Sequence, residues 1–398
     1  MANAKKGFGT MINSAKKLIT LAVCSLCVIC SLSAGAARTD IAAVSSGVEL
    51  ALSSESACLM EYTTGEVLYE KNADERLEPA SVTKIMPLLL ICEALDEGSL
   101  TLTDMVTGSE KAASMGGSQI WLEAGEQMSV SDMLKAMTVV SANDCTVAMA
   151  EHLAGSEEAF VERMNQRAAE LGMTNTHFAN ATGLPVENHY TTARDIARMT
   201  RALLSHPVIF EYTGIWMDSL RGGRMGLVNT NKLVRFYPGA NGMKTGYTDS
   251  AKYCLSATAK RDKLQLIAAV MKATTSDERF ADAKRLLDFG FSNFSVYETA
   301  ASPLPKLYVR GGIQPSVPLS YGSEEILIAK GREKLLELVT ELPESIAAPV
   351  KAGEVVGKVR YEIAGETVAQ VDIVTAQEVR RMGFWDILGH LVRGSSRL

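Results

Sequence analysis

The sequence predicts an α+β fold: an antiparallel sheet flanked by helices, a helical subdomain, and a small β-rich domain behind them. Three observations predict it. Two β-prone runs near the front, Ala57–Tyr62 and Glu66–Lys71, meet across Thr63-Thr64-Gly65 as a hairpin. From about Ala94 to Leu204 the apolar residues recur at helical spacing. Runs at Lys252–Lys260 and Leu264–Met271, turning at Arg261-Asp262, follow one that carries Gly242–Thr248, so three antiparallel strands lie in a row. At 398 residues the chain is long enough for two or three domains with cores of their own.

Residues 1–37 read as an export leader. Lys5, Lys6, Lys16 and Lys17 precede an apolar run from Leu18 to about Leu32, and Ala34-x-Ala36 offers a cleavage site. A retained N-terminal anchor helix is the other reading. Cys24, Cys27 and Cys30 lie inside the run as apolar filler. The four lysines face no acid there, so removing the leader takes the formal net charge from −6 to −10. An acidic body without a basic cluster argues against nucleic acid as a partner. No other segment is apolar for the roughly 20 residues that a membrane span needs. Cys58, Cys92, Cys145 and Cys254 each sit singly in an apolar pattern, so buried free thiols are expected in preference to disulfides. Beyond the leader there is no Cys-x-x-Cys and no His-Glu-x-x-His, and no metal or other cofactor is expected.

After the hairpin comes Glu78-Pro79-Ala80-Ser81-Val82-Thr83-Lys84, followed at once by Ile85, Met86, Leu88, Leu89, Leu90 and Ile91. A run apolar nearly all round reads as a helix buried within a domain. Ser81 falls in its first turn, where unpaired N–H groups and the positive dipole end favour an oxygen gaining negative charge. Lys84, three residues on, shares its face and can reach the hydroxyl. Desolvation lowers the pKa of a lysine so placed, and a neutral amine beside a serine is a base beside its nucleophile. Taken alone the pattern is weak, because Ser14 to Lys17 repeats it inside the leader.

Amphipathic helices are expected at Ser131–Val140, Glu158–Leu171 and Ala193–Leu204. The first runs into Ser141-Ala142-Asn143-Asp144. On a short loop between helices, Ser141 can relay protons while the amide of Asn143 holds a peptide backbone by donor and acceptor together. Further on, Lys244 and Thr245 on an edge strand suit a carboxylate ligand, and Gly246 lets a substrate backbone approach closely. A helix over Asp277–Phe289 is expected to pack back on the sheet.

Ser81-x-x-Lys84, Ser141-x-Asn143 and Lys244-Thr245-Gly246, in this order, together with Gly117-Ser118-Gln119-Ile120-Trp121-Leu122 and Asn180-Ala181-Thr182-Gly183-Leu184, resemble the D-alanyl-D-alanine carboxypeptidases. These are the low-molecular-mass penicillin-binding proteins. The resemblance spans about residues 45–380 and implies the penicillin-binding/β-lactamase-like transpeptidase fold, with a catalytic domain at 45–297. It implies a serine-type carboxypeptidase that takes the terminal D-Ala from peptidoglycan stem peptides and is acylated by β-lactams. Ser81 would be the nucleophile and Lys84 its base. Ser141 would relay a proton to the leaving amine, Asn143 would hold the substrate amide, and Lys244 and Thr245 would meet the terminal carboxylate. Backbone N–H groups of Ser81 and Tyr247 would form the oxyanion hole. Two departures stand out. Ala251-Lys252 replaces the usual Ala-Gly, placing a lysine either at the mouth of the site or, as expected, in solvent. Pro185-Val186-Glu187 stands where an aspartate is common. His177 and His189, near that loop, fall in no motif that needs a base and read as structural.

A β-lactamase would share the acylation chemistry but needs a glutamate to hold a deacylating water. No Glu-x-x-Leu-Asn occurs between the second and third motifs, and Glu158 and Glu187 lack that setting. A non-catalytic penicillin sensor would need a transmembrane relay and a cytoplasmic partner domain. Residues 303–378 read as the β-rich domain, with strands at Leu307–Val309, Glu325–Ile328, Glu354–Ile363 and Thr367–Val374 and no catalytic constellation. Residues 382–395 read as an amphipathic helix, with Phe384, Trp385, Ile387, Leu388, Leu391 and Val392 on one side. A helix lying in the membrane interface, on the outer face of the cytoplasmic membrane, is expected; docking on the protein's own surface is the alternative.

Overall fold

The computed structural model describes Ile41, Val44 and residues 47–388. The expected leader and residues 389–395 of the expected C-terminal helix lie outside the described residues. The expected hairpin is present as β1 (Ser56–Glu61) and β2 (Val67–Lys71), paired antiparallel. The row of three strands is β3 (Ala240–Thr248), β4 (Lys252–Arg261) and β5 (Leu264–Ala273). All five join one antiparallel sheet in the order β2-β1-β5-β4-β3, which leaves β3 at an edge.

Strand periodicity sorts the side chains of this sheet into two cores. Leu59, Leu255, Ala257, Leu266, Ala268 and Val270 face one way, against Phe280, Ala283, Leu286 and Leu287 of α6 (Ser276–Asn293). Cys58, Met60, Cys254, Ile267, Ala269 and Met271 face the other way, into the helical region. That is why β5 reads as an almost unbroken apolar run: it is covered on both faces.

In the helical region, α1 (Ile85–Asp96) buries Ile85, Met86, Leu88, Leu89, Ile91 and Cys92. Pro87 falls in its first turn, where the missing N–H costs no helical bond. Around it lie α2 (Val130–Val139), α3 (Asn143–Ala154), α4 (Glu157–Glu170) and α5 (Ala193–Leu204). Local chemistry starts four helices. The hydroxyls of Ser129, Ser156, Thr192 and Thr275 accept from the N–H groups of Asp132, Ala159, Asp195 and Glu278, opening α2, α4, α5 and α6. Cys58, Cys92, Cys145 and Cys254 are free and buried, as expected. Burial pushes the thiols of Cys58 and Cys92 up to about 12 and that of Cys254 up to about 11.

Behind α6 the chain is all β. Phe294–Glu298 pairs with Glu325–Ala329. Leu307–Arg310 lies between Ser316–Val317 and Ser345–Ala347, and a four-stranded sheet orders Leu319–Ser320, Glu366–Thr375, Val355–Ile363 and Leu336–Glu341. Residues 384–388 are helical, with Phe384 71% and Trp385 79% exposed. No described helix is long and apolar enough to cross a membrane.

Candidate active site

A single 3-10 turn, Ala80–Lys84, carries Ser81 and Lys84 and runs directly into α1. Ala80 is left-handed at φ 47°. Gly183 packs on it so tightly that a Cβ there would stand 1.9 Å from the Ala80 carbonyl oxygen, so only glycine fits. Lys84 has no exposed surface. Its Nζ stands 3.0 Å from Ser81 Oγ and donates to the Thr182 carbonyl at 2.8 Å. Burial, aided by the charge of Lys244, holds this amine well below the usual lysine range, against a smaller opposing pull from Asp144. The pair is thus a hydroxyl beside an amine biased toward its neutral form.

At the end of α2 the backbone turns sharply, with Ser141 at φ 65°, and Asn143 opens α3. Asn143 Nδ2 donates to the Gly116 carbonyl at 2.7 Å, and its backbone N–H to Ser118 at 2.7 Å. Buried Asp144 accepts from the N–H groups of Ile120 and Leu122, each at 3.0 Å. The Gly117–Leu122 run is therefore tied to the Ser-x-Asn turn. Ser141 Oγ and Asn143 Oδ1 are buried and have no protein partner. Two such atoms from one turn are what an arriving polar ligand would complete.

The edge strand β3 brings the third group. Gly246 lies against the Ser81 turn: a Cβ on it would stand 2.7 Å from the Pro79 carbonyl oxygen and 3.0 Å from Ser81 N. The Thr245 hydroxyl donates to Thr230 Oγ1 at 2.7 Å, and Thr230 N–H to the Val139 carbonyl at the end of α2 at 3.0 Å. Three elements distant in sequence thus meet. Lys244 is 1% exposed, and burial beside Arg279 brings its amine down to about 7.

A sequence profile described as D-alanyl-D-alanine carboxypeptidase matches residues 42–275. The chain belongs to this family. A second profile, the C-terminal domain of penicillin-binding protein 5, matches residues 291–381. The chain is 44% identical to the Bacillus subtilis D-alanyl-D-alanine carboxypeptidase DacF over 84% of its length and 88% of the relative's. It is 34% identical to Escherichia coli DacC, over 83% and 86%. Its fold is similar to that of penicillin-binding protein 5 from Haemophilus influenzae, with TM-score 0.73, 32% identity, and coverage of 84% of this chain and 99% of that one. It is similar also to Listeria monocytogenes penicillin-binding protein D2 in its ampicillin-bound form, with TM-score 0.56, 32% identity, and coverage of 61% and 100%.

Within this carboxypeptidase, sequence reasoning missed Arg279. It rises from α6 beneath β3, is 6% exposed, and donates to the carbonyls of Gly246 at 3.1 Å and Cys254 at 3.3 Å. No short spacing ties it to Lys244; only the packing of α6 on the sheet does. Desolvation lowers it to about 10, so it remains a cation that braces the edge strand. Tyr247 is 49% exposed and packs on Tyr253 with ring centroids 4.5 Å apart. Lys252, at φ 54°, is exposed, which is the solvent reading of that departure. Glu158 pairs with Lys111 at 2.8 Å, and Glu187 is exposed.

Proposed function

We propose that this D-alanyl-D-alanine carboxypeptidase attacks the terminal peptide bond of peptidoglycan stem peptides with Ser81, using Lys84 as general base. The observation that carries the proposal is the fully buried Lys84 amine 3.0 Å from Ser81 Oγ. As Ser81 Oγ bonds to the carbonyl carbon, its proton passes to Nζ. Negative charge gathers on the carbonyl oxygen, facing the backbone N–H groups of Ser81 and Tyr247; each such donor contributes about 3 kcal/mol. Ser141 passes a proton to the leaving D-Ala amine, and Asn143 holds the substrate amide. Lys244 and Thr245 bind the terminal carboxylate with Arg279 behind them, and the arriving carboxylate raises the Lys244 pKa and keeps it charged. Water then hydrolyses the ester and frees Ser81.

Acylation by a β-lactam begins alike but ends differently. D-Ala diffuses away and admits water, whereas the leaving group of a β-lactam stays attached. Of the described glutamates on the chain between the first and third motifs, Glu158 is engaged by Lys111 and Glu187 faces solvent, so neither is set to hold a deacylating water. One preparation given diacetyl-lysyl-D-Ala-D-Ala is expected to release free D-Ala over many turnovers, while its penicilloyl adduct persists. Rapid penicillin loss would indicate a β-lactamase instead. A stable adduct without D-Ala release, on cell-wall peptides also, would indicate a penicillin receptor.

Peptidoglycan places the reaction outside the cytoplasm, in keeping with cleavage of the leader at 1–37. The β-rich region at 303–378 would space the catalytic domain at 45–297 from the membrane. The segment at 382–395, read from its sequence as an amphipathic helix, would lie in the outer leaflet, a reading supported by the exposure of Phe384 and Trp385. Truncation after Gln377 is expected to move active enzyme from vesicles containing anionic lipid to the supernatant. Full-length protein without its leader that ignores such vesicles would refute the tether.

A further inference from the structure

The lysine's second hydrogen bond leads to an unusually constrained piece of chain. Between Phe178 and Gly183, nearly every backbone N–H is held by a side chain. Phe178 N–H donates to Asn165 Oδ1 at 2.9 Å, Ala179 N–H to His189 Nδ1 at 3.0 Å, and Ala181 N–H to Glu157 Oε1 at 3.1 Å. Thr182 and Gly183 N–H both donate to Asn180 Oδ1, at 3.1 and 2.7 Å. The carbonyl of Thr182, inside this clamp, is the one that accepts from Lys84.

His189 sits where the clamp meets the nucleophile's turn. It is 4% exposed. Because Ala179 N–H donates to Nδ1, that nitrogen carries the lone pair and the ring proton is on Nε2. Nε2 then donates to Thr83 Oγ1, 2.8 Å away, between Ser81 and Lys84. The imidazole therefore bonds the clamp with one nitrogen and the 3-10 turn with the other.

We propose that His189 is a positioning residue for Lys84: by tying Thr83 to Ala179, it holds the Thr182 carbonyl where it takes one N–H of the amine and leaves the lone pair facing Ser81. The proposal rests on Ser81 and Lys84 being nucleophile and base. A neutral amine has two N–H groups and one lone pair, so an acceptor fixed on one side constrains where the lone pair points. Burial, aided by the neighbouring imidazole of His177, brings His189 down to about 4, so the ring stays neutral across the working range. The charged groups acting on Lys84 are Lys244 from β3 and Asp144 from α3. Loosening the clamp admits water to Lys84 and raises its pKa toward the ordinary value.

The test measures penicillin acylation rates against pH for Thr83→Val, His189→Ala and the double variant, with adducts located by mass spectrometry. Misplacement of a reacting group by about 1 Å can cost roughly 100-fold. His189→Ala is expected to slow acylation by about that factor and Thr83→Val by about 10-fold, with KM for the peptide little changed. Because both variants cut the same tie, the double variant should be no slower than His189→Ala. The acid limb of the profile should move to higher pH, which a residue serving only stability would not cause. Adducts on Ser81 in every variant keep the underlying assignment intact. An unmoved acid limb, multiplicative losses, or unchanged acylation would overturn the role of His189. Should His189→Ala fail to fold, Thr83→Val, close in shape, decides the question through its own acid limb.

Discussion

Ser81→Ala is expected to abolish covalent labelling by penicillin and to lower D-Ala release by at least about 10⁴-fold, the scale of losing a catalytic nucleophile. The fold should survive, because the change removes one hydroxyl that is not fully buried and whose near polar neighbour is the Lys84 amine. Matching thermal melts with no penicilloyl peptide would meet the expectation. An adduct on any other residue in the parent enzyme, located by mass spectrometry, would remove Ser81 from the mechanism.

Lys84→Arg is expected to cost on the order of 10³-fold in acylation, within the range for loss of a general base. Guanidinium stays protonated and cannot take the serine proton. The sign of the pH dependence follows from the direction of the shift. The folded-state pKa of Lys84 lies well below the unfolded value, so protonation switches the base off as pH falls through that lowered value. On the alkaline side, Lys244 in the free enzyme loses its charge near 7, so capture of a carboxylate should weaken above that pH. The profile of kcat/KM should be bell-shaped, its limbs belonging to the coupled pair of lysines rather than to either alone. For stability, an unfolded Lys84 binds a proton that the folded one resists. The folded state therefore gains relative stability as pH rises from the folded value toward the unfolded value near 10.4. Near-normal turnover by Lys84→Arg would exclude the lysine as base.

How far the sequence was legible depended on how local the signal was. The hairpin at β1 and β2 and the strands β3 to β5 carry two-residue alternation or dense apolar runs between clear turns, and all five appear where expected. The α1 helix declared itself through an apolar run too wide for a surface. Leu336–Glu341 escaped because it is a half-exposed edge strand, in which Leu336, Leu338 and Val339 alternate poorly with Glu337 and Thr340. The site divides in the same way. Ser81, Lys84, Ser141, Asn143, Lys244, Thr245 and Gly246 stand in three short words, and the fold brings those words together through Gly246 and Thr230. Arg279 and the ties from Thr182 to Lys84 and from His189 to Thr83 were not legible, since their partners lie tens to about a hundred positions away and meet only through packing.

The four buried thiols bear on how this enzyme can be counted. A thiolate, not a thiol, opens a β-lactam ring, and Cys58, Cys92 and Cys254 ionise only near 11 to 12 while Cys145 is pushed well above its ordinary value. At neutral pH none of them competes for the drug. With Ser81 as the nucleophile, covalent labelling between residues 47 and 388 is therefore expected at one per competent molecule. A sample's bound-drug equivalents become an active-site titration, separating a loss of catalytic rate from a loss of folded enzyme in every variant above.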